Sequence, residues 1–347
     1  MTKVWKHNAN RATLKRNPIG LSLCCVCCLI LTSVCSATDL YVGNFFGNDS
    51  SVLKFNGSTG TFESVFVPFA VDSFPLGAAF GKDGNLYVSN SNTEEVLRVN
   101  GTTGALINTF ANGVDDAAGM KFGPNGNLYV VNSSSPGSVT ELNGTTGALI
   151  TTLTGGDLSD PEGITIGPDG NIYVANGNSI VRFNGTTNAF MDVFVAPGSG
   201  GLSGGRDVTF GADGNLYATS SGGTGGVLKY NGTTGAFLGT FVGPGSDLSL
   251  PRGLVFGPDG NLYVANFGVG DVDRFNGATG AFIDTFIAAG SGPPPGGGTL
   301  GGPTFLLFNE PVSSVPEPAT LGMIGFGLVG ILALKRRQHR GRCGRYS

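Results

Sequence analysis

The feature that most constrains this chain is a unit repeated every 42 to 46 residues and marked by a tyrosine within an apolar stretch. Such periods are typical of architectures in which one supersecondary unit cannot bury its apolar faces alone and stacks against copies of itself. The 347 residues are therefore expected to form one repeat domain rather than several independent domains. The six marker residues are Tyr41, Tyr87, Tyr129, Tyr173, Tyr217 and Tyr263.

Each unit contains four short apolar runs separated by turn residues. The Asp-Gly and Asn-Gly pairs in these turns supply the positive φ angles that tight hairpins require, so each unit is predicted to be a four-stranded antiparallel sheet. The runs are apolar almost throughout, which indicates sheets packed on both faces, as in the blades of a propeller. In the fullest copy the runs cover residues 253–256, 261–266, 272–276 and 281–286.

The two ends of the array complement each other. The first unit begins at Asp39 and lacks an opening strand, whereas residues 303–308 follow the last unit and align with residues 251–256. A C-terminal strand that completes the first sheet would close the ring and remove its unpaired edges. The sequence therefore predicts an all-β fold, a six-bladed β-propeller over residues 38–310 closed by its C-terminal strand.

The N-terminal residues 1–37 are typical of a secretory signal peptide. A basic segment is followed by an apolar run over residues 19–34 and by Cys35-Ser36-Ala37, which predicts cleavage after Ala37. The alternative is a lipoprotein modified at Cys35, although Val34 stands where such sites have a small residue.

Composition excludes several kinds of chemistry. All six cysteines lie outside residues 38–310, and so do the two histidines, His7 and His339. The propeller therefore has no thiol nucleophile, disulfide or imidazole. It carries nine basic and 23 acidic side chains, a net charge of −14, which repels phosphate backbones and argues against nucleic-acid binding.

Residues 311–347 form a second export-related segment. Val315-Pro316-Glu317-Pro318 precedes an apolar run over residues 319–334 and a basic end that starts at Lys335. Sixteen helical residues span about 24 Å, less than the ~30 Å hydrocarbon core of a bilayer. This favours a temporary membrane stop with the basic end in the cytoplasm over the alternative, an ordinary tail anchor.

This tail resembles the PEP-CTERM sorting signal. The resemblance implies an exported cell-surface or extracellular protein, transiently anchored in the inner membrane of a Gram-negative bacterium, with an exosortase-type enzyme as its processing partner and an exopolysaccharide as a further candidate partner. The propeller resembles NHL-repeat propellers in stretches such as GITIGPDGNIYVAN, residues 163–176. It is similar more loosely to gluconolactonase-like and virginiamycin-lyase-like propellers.

Strand order places the loops on two rims of the propeller. The first-to-second and third-to-fourth strand turns form the turn rim, and the second-to-third strand loops and the blade connections form the variable rim. We expect function on the variable rim, because its loops differ between copies while the scaffold holds them in place. At this rim the innermost strands should surround the mouth of a central channel with Leu76, Ala118, Glu162, Arg206, Arg252 and Thr304.

The charged members of this ring are the candidate binding residues. Glu162, Arg206 and Arg252, with the adjoining Asp207, are not required by the repeat. The two guanidinium groups are suited to holding a carboxylate or a sugar. The alternative is a set of ion pairs that only caps the channel.

Other recurring polar residues are interpreted as structural. Five strand-ending asparagines, with Ser220 in the sixth copy, are expected to bond neighbouring loops. Calcium would suit acidic loops that contain Asp115, Asp116, Asp157, Asp160, Glu94 and Glu95, but no compact ligand run is present, so neither a metal nor another cofactor is predicted. The asparagines are Asn44, Asn90, Asn132, Asn176 and Asn266, and the recurring bases are Lys54, Arg98, Arg182, Lys229 and Arg274.

These observations favour a non-enzymatic surface or matrix protein that binds a glycan or a protein through the variable rim. The alternative is an enzyme of the lactonase or lyase kind. The resemblance to gluconolactonase-like propellers implies a divalent metal held by Glu, Asn and Asp, of which this ring offers only Glu162. The resemblance to virginiamycin-lyase-like propellers implies a catalytic histidine, which the propeller lacks. A third hypothesis is a structural envelope component without a discrete ligand.

Overall fold

The computed structural model of this protein describes residues 38–45, 50–70, 73–222, 225–243, 245–293 and 299–309. The predicted signal peptide and the tail, with its Pro-Glu-Pro motif, apolar run and predicted helix, lie outside these residues. Across the described part of the chain, none of the helices combines the length and apolar character needed to cross a bilayer.

The described residues form six four-stranded antiparallel sheets. Two short 3-10 helices, Ser91–Thr93 and Ser199–Gly201, lie in connections between strands. The strands are β1 (Asp39–Asn44), β2 (Ser51–Asn56), β3 (Phe62–Pro68), β4 (Pro75–Phe80), β5 (Leu86–Asn90), β6 (Glu95–Val99), β7 (Leu106–Asn112), β8 (Ala117–Phe122), β9 (Leu128–Asn132), β10 (Ser138–Leu142), β11 (Leu149–Leu153), β12 (Pro161–Ile166), β13 (Ile172–Asn176), β14 (Ser179–Phe183), β15 (Phe190–Val195), β16 (Val208–Phe210), β17 (Leu216–Ser220), β18 (Gly226–Tyr230), β19 (Phe237–Val242), β20 (Pro251–Phe256), β21 (Leu262–Asn266), β22 (Asp271–Phe275), β23 (Phe282–Ile287) and β24 (Pro303–Asn309).

The ring closes as the sequence predicts. Blade 1 has the strand order β24-β1-β2-β3, and blades 2 to 6 follow as successive groups of four strands from β4 to β23. Strand β24 pairs antiparallel with β1, with Leu40 opposite Phe308 and Tyr41 opposite Leu307. The six-bladed propeller and its closure by the C-terminal strand are therefore confirmed.

The apolar core is divided into six clusters, each between two adjacent blades. In five blades the marker tyrosine packs edge-on between two phenylalanine rings, one from its own outermost strand and one from the innermost strand of the next blade. Tyr263, for example, contacts Phe286 at 4.9 Å and Phe308 at 5.1 Å between ring centroids. This clamp explains the recurrence of the tyrosine, because its ring joins neighbouring blades.

Blade 3 departs from this pattern. Around Tyr129 the two phenylalanine positions are taken by Leu153 and Ile166, and Glu141 stands where the other copies have Lys or Arg. Glu141 is only 3% exposed. It accepts hydrogen bonds from Tyr129 Oη and from Asn188 Nδ2 of the next blade, so a polar network replaces the aromatic clamp at this interface.

Candidate functional site

The six predicted ring residues lie together at one end of the central channel, on the variable rim. Each stands second in an innermost strand, or two residues before it in blade 5, and the innermost strands run side by side around the channel. Register in each blade thus brings residues that are 42 to 52 positions apart in sequence to one opening, the channel mouth. The lining includes Leu76, Ala118, Glu162, Arg206, Arg252 and Thr304.

The channel behind this mouth is narrow. It encloses about 60 Å³, enough for a few water molecules at roughly 10–15 Å³ each. Pockets for small-molecule ligands usually measure about 300–1,000 Å³. A ligand of sugar size therefore has to lie across the mouth and can send only a single polar group into the channel.

The next layer explains the constriction. Blades 2, 3, 4 and 6 have glycine there, and a Cβ atom on Gly77 would lie 2.4 Å from the carbonyl oxygen of Ala118. In these four blades the innermost strand lies too close to that of the next blade for a side chain at this depth. Blade 5 instead places Asp207 at this layer, and blade 1 places Phe305.

Asp207 is held inside the channel by the backbone of two blades. Its Oδ1 accepts a hydrogen bond from Val208 N at 2.8 Å, and its Oδ2 accepts one from Leu254 N of blade 6 at 3.1 Å. Burial raises the pKa of Asp207 to about 6, although the two N–H groups and the charge of Lys121 oppose the shift. This carboxyl group bridges blades 5 and 6 below the mouth.

Glu162 and Arg206 form an ion pair across blades 4 and 5 at the mouth. Asp160 also lies 3.9 Å from Arg206 Nη1. For these two ring residues the structure supports the capping alternative, because each charge already has a partner.

Arg252 differs from Arg206. Within the described residues its guanidinium group makes no ion pair and no hydrogen bond, and it stacks on Phe267 at 4.3 Å from the ring centroid. Burial, together with the nearby charge of Arg206, lowers the pKa of Arg252 to about 10, so the group remains charged at neutral pH. A stacked guanidinium keeps its N–H edges available for a carboxylate.

Aromatic side chains extend the mouth beside Arg252. The Phe267 ring lies parallel to that of Phe45 with centroids 6.3 Å apart, and Phe45 contacts Phe74 at 4.4 Å. The three half-buried rings come from blades 6, 1 and 2. They give this side of the mouth an apolar border beside one free cation, an arrangement that sequence analysis did not anticipate because each ring belongs to a different variable loop.

A second residue missed from the sequence is Lys121, which lines the channel from blade 3. Six of the nine basic residues in the propeller form ion pairs, and the recurring bases, which the sequence indicated only as structural, pair with acids of their own blades. Of the other three, Lys121 and Arg252 face the central channel, and Lys82 lies on the turn rim. Aligned repeats could have identified Lys121, since no other copy has a base at its position.

The structural interpretation of the strand-ending residues is confirmed where their bonds are seen. Asn176 Oδ1 accepts hydrogen bonds from the backbone N–H groups of Ser159 and Asp160, and Asn266 Oδ1 accepts one from Ser249 N. Ser220 Oγ plays the same part for Ser203 N in blade 5. Asn132 differs, because its amide bonds Ser138 and Thr140 within its own sheet.

Acidic side chains on the variable rim also gather at one place not singled out from the sequence. Asp247, Asp271 and Asp273 line a pocket of about 410 Å³ in blade 6. Burial and the charges of the other two raise the pKa of Asp273 to about 6. No group of three or more acidic, histidine or cysteine side chains has an arrangement suited to a metal ion in the described ranges.

Comparisons with known proteins agree with both parts of the chain. Residues 314–337 match the PEP-CTERM protein-sorting motif. No curated protein matches this sequence. The propeller is similar to many solved structures, and the three described below share 14–20% identity with it, so the likeness shows the fold alone.

Three solved structures illustrate this likeness. A chain of the nidogen/laminin complex has a TM-score of 0.61 and 17% identity, covering 78% of this chain and 98% of its own. Hydrazine synthase of Kuenenia stuttgartiensis has a TM-score of 0.53 and 20% identity, covering 65% and 70%. A gluconolactonase of Xanthomonas campestris has a TM-score of 0.52 and 14% identity, covering 72% and 85%.

Proposed function

Since this chain carries a PEP-CTERM sorting motif, which implies an exported cell-surface protein processed by an exosortase, we propose that its six-bladed propeller is a binding module without catalytic activity. The module binds a glycan or protein partner through the variable rim, with Arg252 as the central contact. The exopolysaccharide or surface protein expected from the sequence would be the partner.

The observation that carries this proposal is that Arg252 has no ion pair and no hydrogen bond among the residues that the structure describes. In a propeller of net charge −14, a half-buried cation without a carboxylate partner is costly unless something else satisfies it. Its stacking on Phe267 holds the guanidinium at the mouth and leaves its edges for a ligand acceptor. A carboxylate of the partner would form bidentate bonds with Arg252, much as Glu162 pairs with Arg206.

The narrow channel supports binding rather than catalysis. A channel of about 60 Å³ cannot enclose a sugar lactone. The lactonase alternative would also need Glu162 as a metal ligand, whereas Arg206 already holds that carboxylate. The likeness to a gluconolactonase is therefore interpreted as a shared scaffold.

The likeness to a chain of the nidogen/laminin complex is consistent with a binding module for a protein partner. That solved structure is a complex of two proteins, so propellers of this shape occur in protein–protein assemblies. At 17% identity the comparison supplies a precedent for the fold and no contact residues.

The test is retention of the purified protein on a glycan array and on isolated extracellular matrix. Arg252→Gln should reduce retention at least tenfold, while Arg274→Gln, which removes the same charge from the turn-rim side of the same blade, should leave it unchanged. Equal retention of both variants would refute the role of the mouth. Unchanged retention and an unchanged surface phenotype in Arg252→Gln would favour a structural envelope component. Metal analysis that finds one tightly held divalent ion per chain would instead favour the enzyme hypothesis.

A further inference from the structure

A groove on the turn rim, between blades 2 and 3, has the properties of a second binding site, independent of the channel mouth. It measures about 610 Å³ and so falls in the size range of small-molecule pockets, about 300–1,000 Å³. Its polar lining includes Lys82, Asp83, Arg98, Asn125 and Asn143. The sequence favours the opposite rim, the variable rim, as the place of function.

The repeat supplies an internal reference for Arg98. In blade 4 the equivalent Arg182 makes a bidentate pair with Asp192, through Nε at 3.1 Å and Nη2 at 2.5 Å. In blade 6 Arg274 binds Asp284 in the same way, at 3.0 and 2.6 Å. The scaffold thus presents this guanidinium fork to a carboxylate on the neighbouring outer strand.

Blade 2 lacks that carboxylate. The residue opposite Arg98 is Asn108, where register places Asp192 opposite Arg182. Arg98 reaches instead to the turn, and its Nη2 donates to Asp83 at 2.7 Å. Its Nε is buried and has no hydrogen-bond partner among the described atoms, so the fork is left without its usual acceptor.

The one carboxylate in the groove is already saturated. Asp83 accepts hydrogen bonds from Asn85 N, Asn85 Nδ2 and Tyr87 Oη as well as from Arg98. Burial opposes its ionisation, but these bonds and the Arg98 charge outweigh burial and lower the pKa of Asp83. It stays charged and cannot accept much more from a ligand.

The groups that remain free in the groove are donors. Lys82 forms no ion pair within the described part of the chain, and Asn143 uses only its Oδ1, as acceptor for the N–H groups of Thr145 and Thr146. Blade 3 lowers the acidity further, because its turn has Asn125 where most copies have aspartate. Lys82 and Arg98 against Asp83 give the lining one net positive charge, on a body that is otherwise strongly acidic.

Blade 3 also makes the far wall rigid. Buried Glu141 accepts hydrogen bonds from Asn125 Nδ2 at 3.0 Å and Asn127 Nδ2 at 2.7 Å, and both asparagines line the groove. Glu141, which replaces the recurring base, therefore holds the side-chain amides of Asn125 and Asn127 in place on this wall of the groove.

From these contacts we propose that the groove between blades 2 and 3 binds a carboxylate-bearing ligand of the sugar-acid class. The ligand carboxylate accepts hydrogen bonds from the part of the Arg98 guanidinium group that lines the groove, with Lys82 as the second positive group. Its hydroxyl oxygens accept from Asn143 and the neighbouring turn. This proposal does not depend on the function of the channel mouth.

The test is titration of the full chain with glucuronate, monitored by calorimetry, with glucose and acetate as parallel probes. Glucuronate should bind, glucose should bind at least tenfold more weakly, and acetate should compete with glucuronate. Equal binding of glucose and glucuronate, or no binding of glucuronate, would overturn the proposal.

Two variants locate the binding. Asn108→Asp supplies the carboxylate that blades 4 and 6 possess, so it should weaken glucuronate binding at least tenfold while the protein melts at the same or a higher temperature. Arg98→Gln should have the same effect on binding, and Arg182→Gln, the equivalent change in blade 4, should not. Undiminished binding by Asn108→Asp overturns the proposal even if Arg98→Gln fails to fold. Loss of binding only in Arg252→Gln would assign the ligand to the channel mouth and overturn it equally.

Discussion

Closure of the ring by β24 can be tested by the stability that the protein loses when a side chain at the closing interface is removed. Phe308 is 6% exposed, lies on β24 opposite Leu40, and contacts Tyr263 of blade 6 at 5.1 Å. Its side chain therefore joins the last blade to the first. Phe308→Ala removes the ring and leaves a cavity in this interface, which for buried phenylalanines costs about 3–5 kcal/mol.

That loss is large against the total stability of a domain, about 5–15 kcal/mol. For a protein of this size, 1 kcal/mol shifts the melting temperature by roughly 2–4 °C, so we expect a fall of about 10 °C in Phe308→Ala. The measurement is thermal unfolding followed by circular dichroism, with urea unfolding to give the free energy.

Two matched variants control for the loss of a phenylalanine. Phe282→Ala removes a ring that is 53% exposed on β23, and its effect should stay near 1 kcal/mol or below. Phe256→Ala removes the equivalent clamp between blades 5 and 6, where Phe256 contacts Tyr217 at 5.0 Å. It should cost about as much as Phe308→Ala but should not expose the N-terminal strand to proteolysis. If Phe308→Ala melts no lower than Phe282→Ala, the closure argument is refuted.

Two further predictions concern buried carboxyl groups. Glu141→Gln should cost about 1–3 kcal/mol of unfolding free energy, because an amide cannot accept from all the donors around it. Glu63→Gln, at a partly exposed ion pair, should cost under about 1 kcal/mol, and equal costs would contradict the network. Asp273 has its pKa raised to about 6, so the folded state holds this proton more tightly than the unfolded chain and loses stability as pH rises from about 4 to 6. Asp273→Asn should therefore flatten this pH dependence and raise stability at pH 7 by about 3 kcal/mol, since each pKa unit corresponds to about 1.4 kcal/mol. An unchanged slope in urea unfolding between pH 4 and 7 would refute this assignment.

The repeat determined most of the architecture from sequence alone. Turn pairs such as Asp-Gly and the apolar runs between them are local signals. They therefore predict the number of blades, the four strands of each blade and the missing first strand before Asp39 without coordinates. Position within the repeat also placed Glu162, Arg206 and Arg252 at one opening, because equivalent residues of a closed ring occupy equivalent places.

Only the tertiary structure decided which of these charges are free. Glu162 pairs with Arg206 rather than Arg252, and Asn188 of blade 4 reaches Glu141 of blade 3, because such contacts depend on the distance between blades and on side-chain conformations that no period records. The same is true of the groove beside Arg98. Its missing partner is visible in sequence as Asn108, but its volume and its saturated Asp83 arise only when two blades pack together.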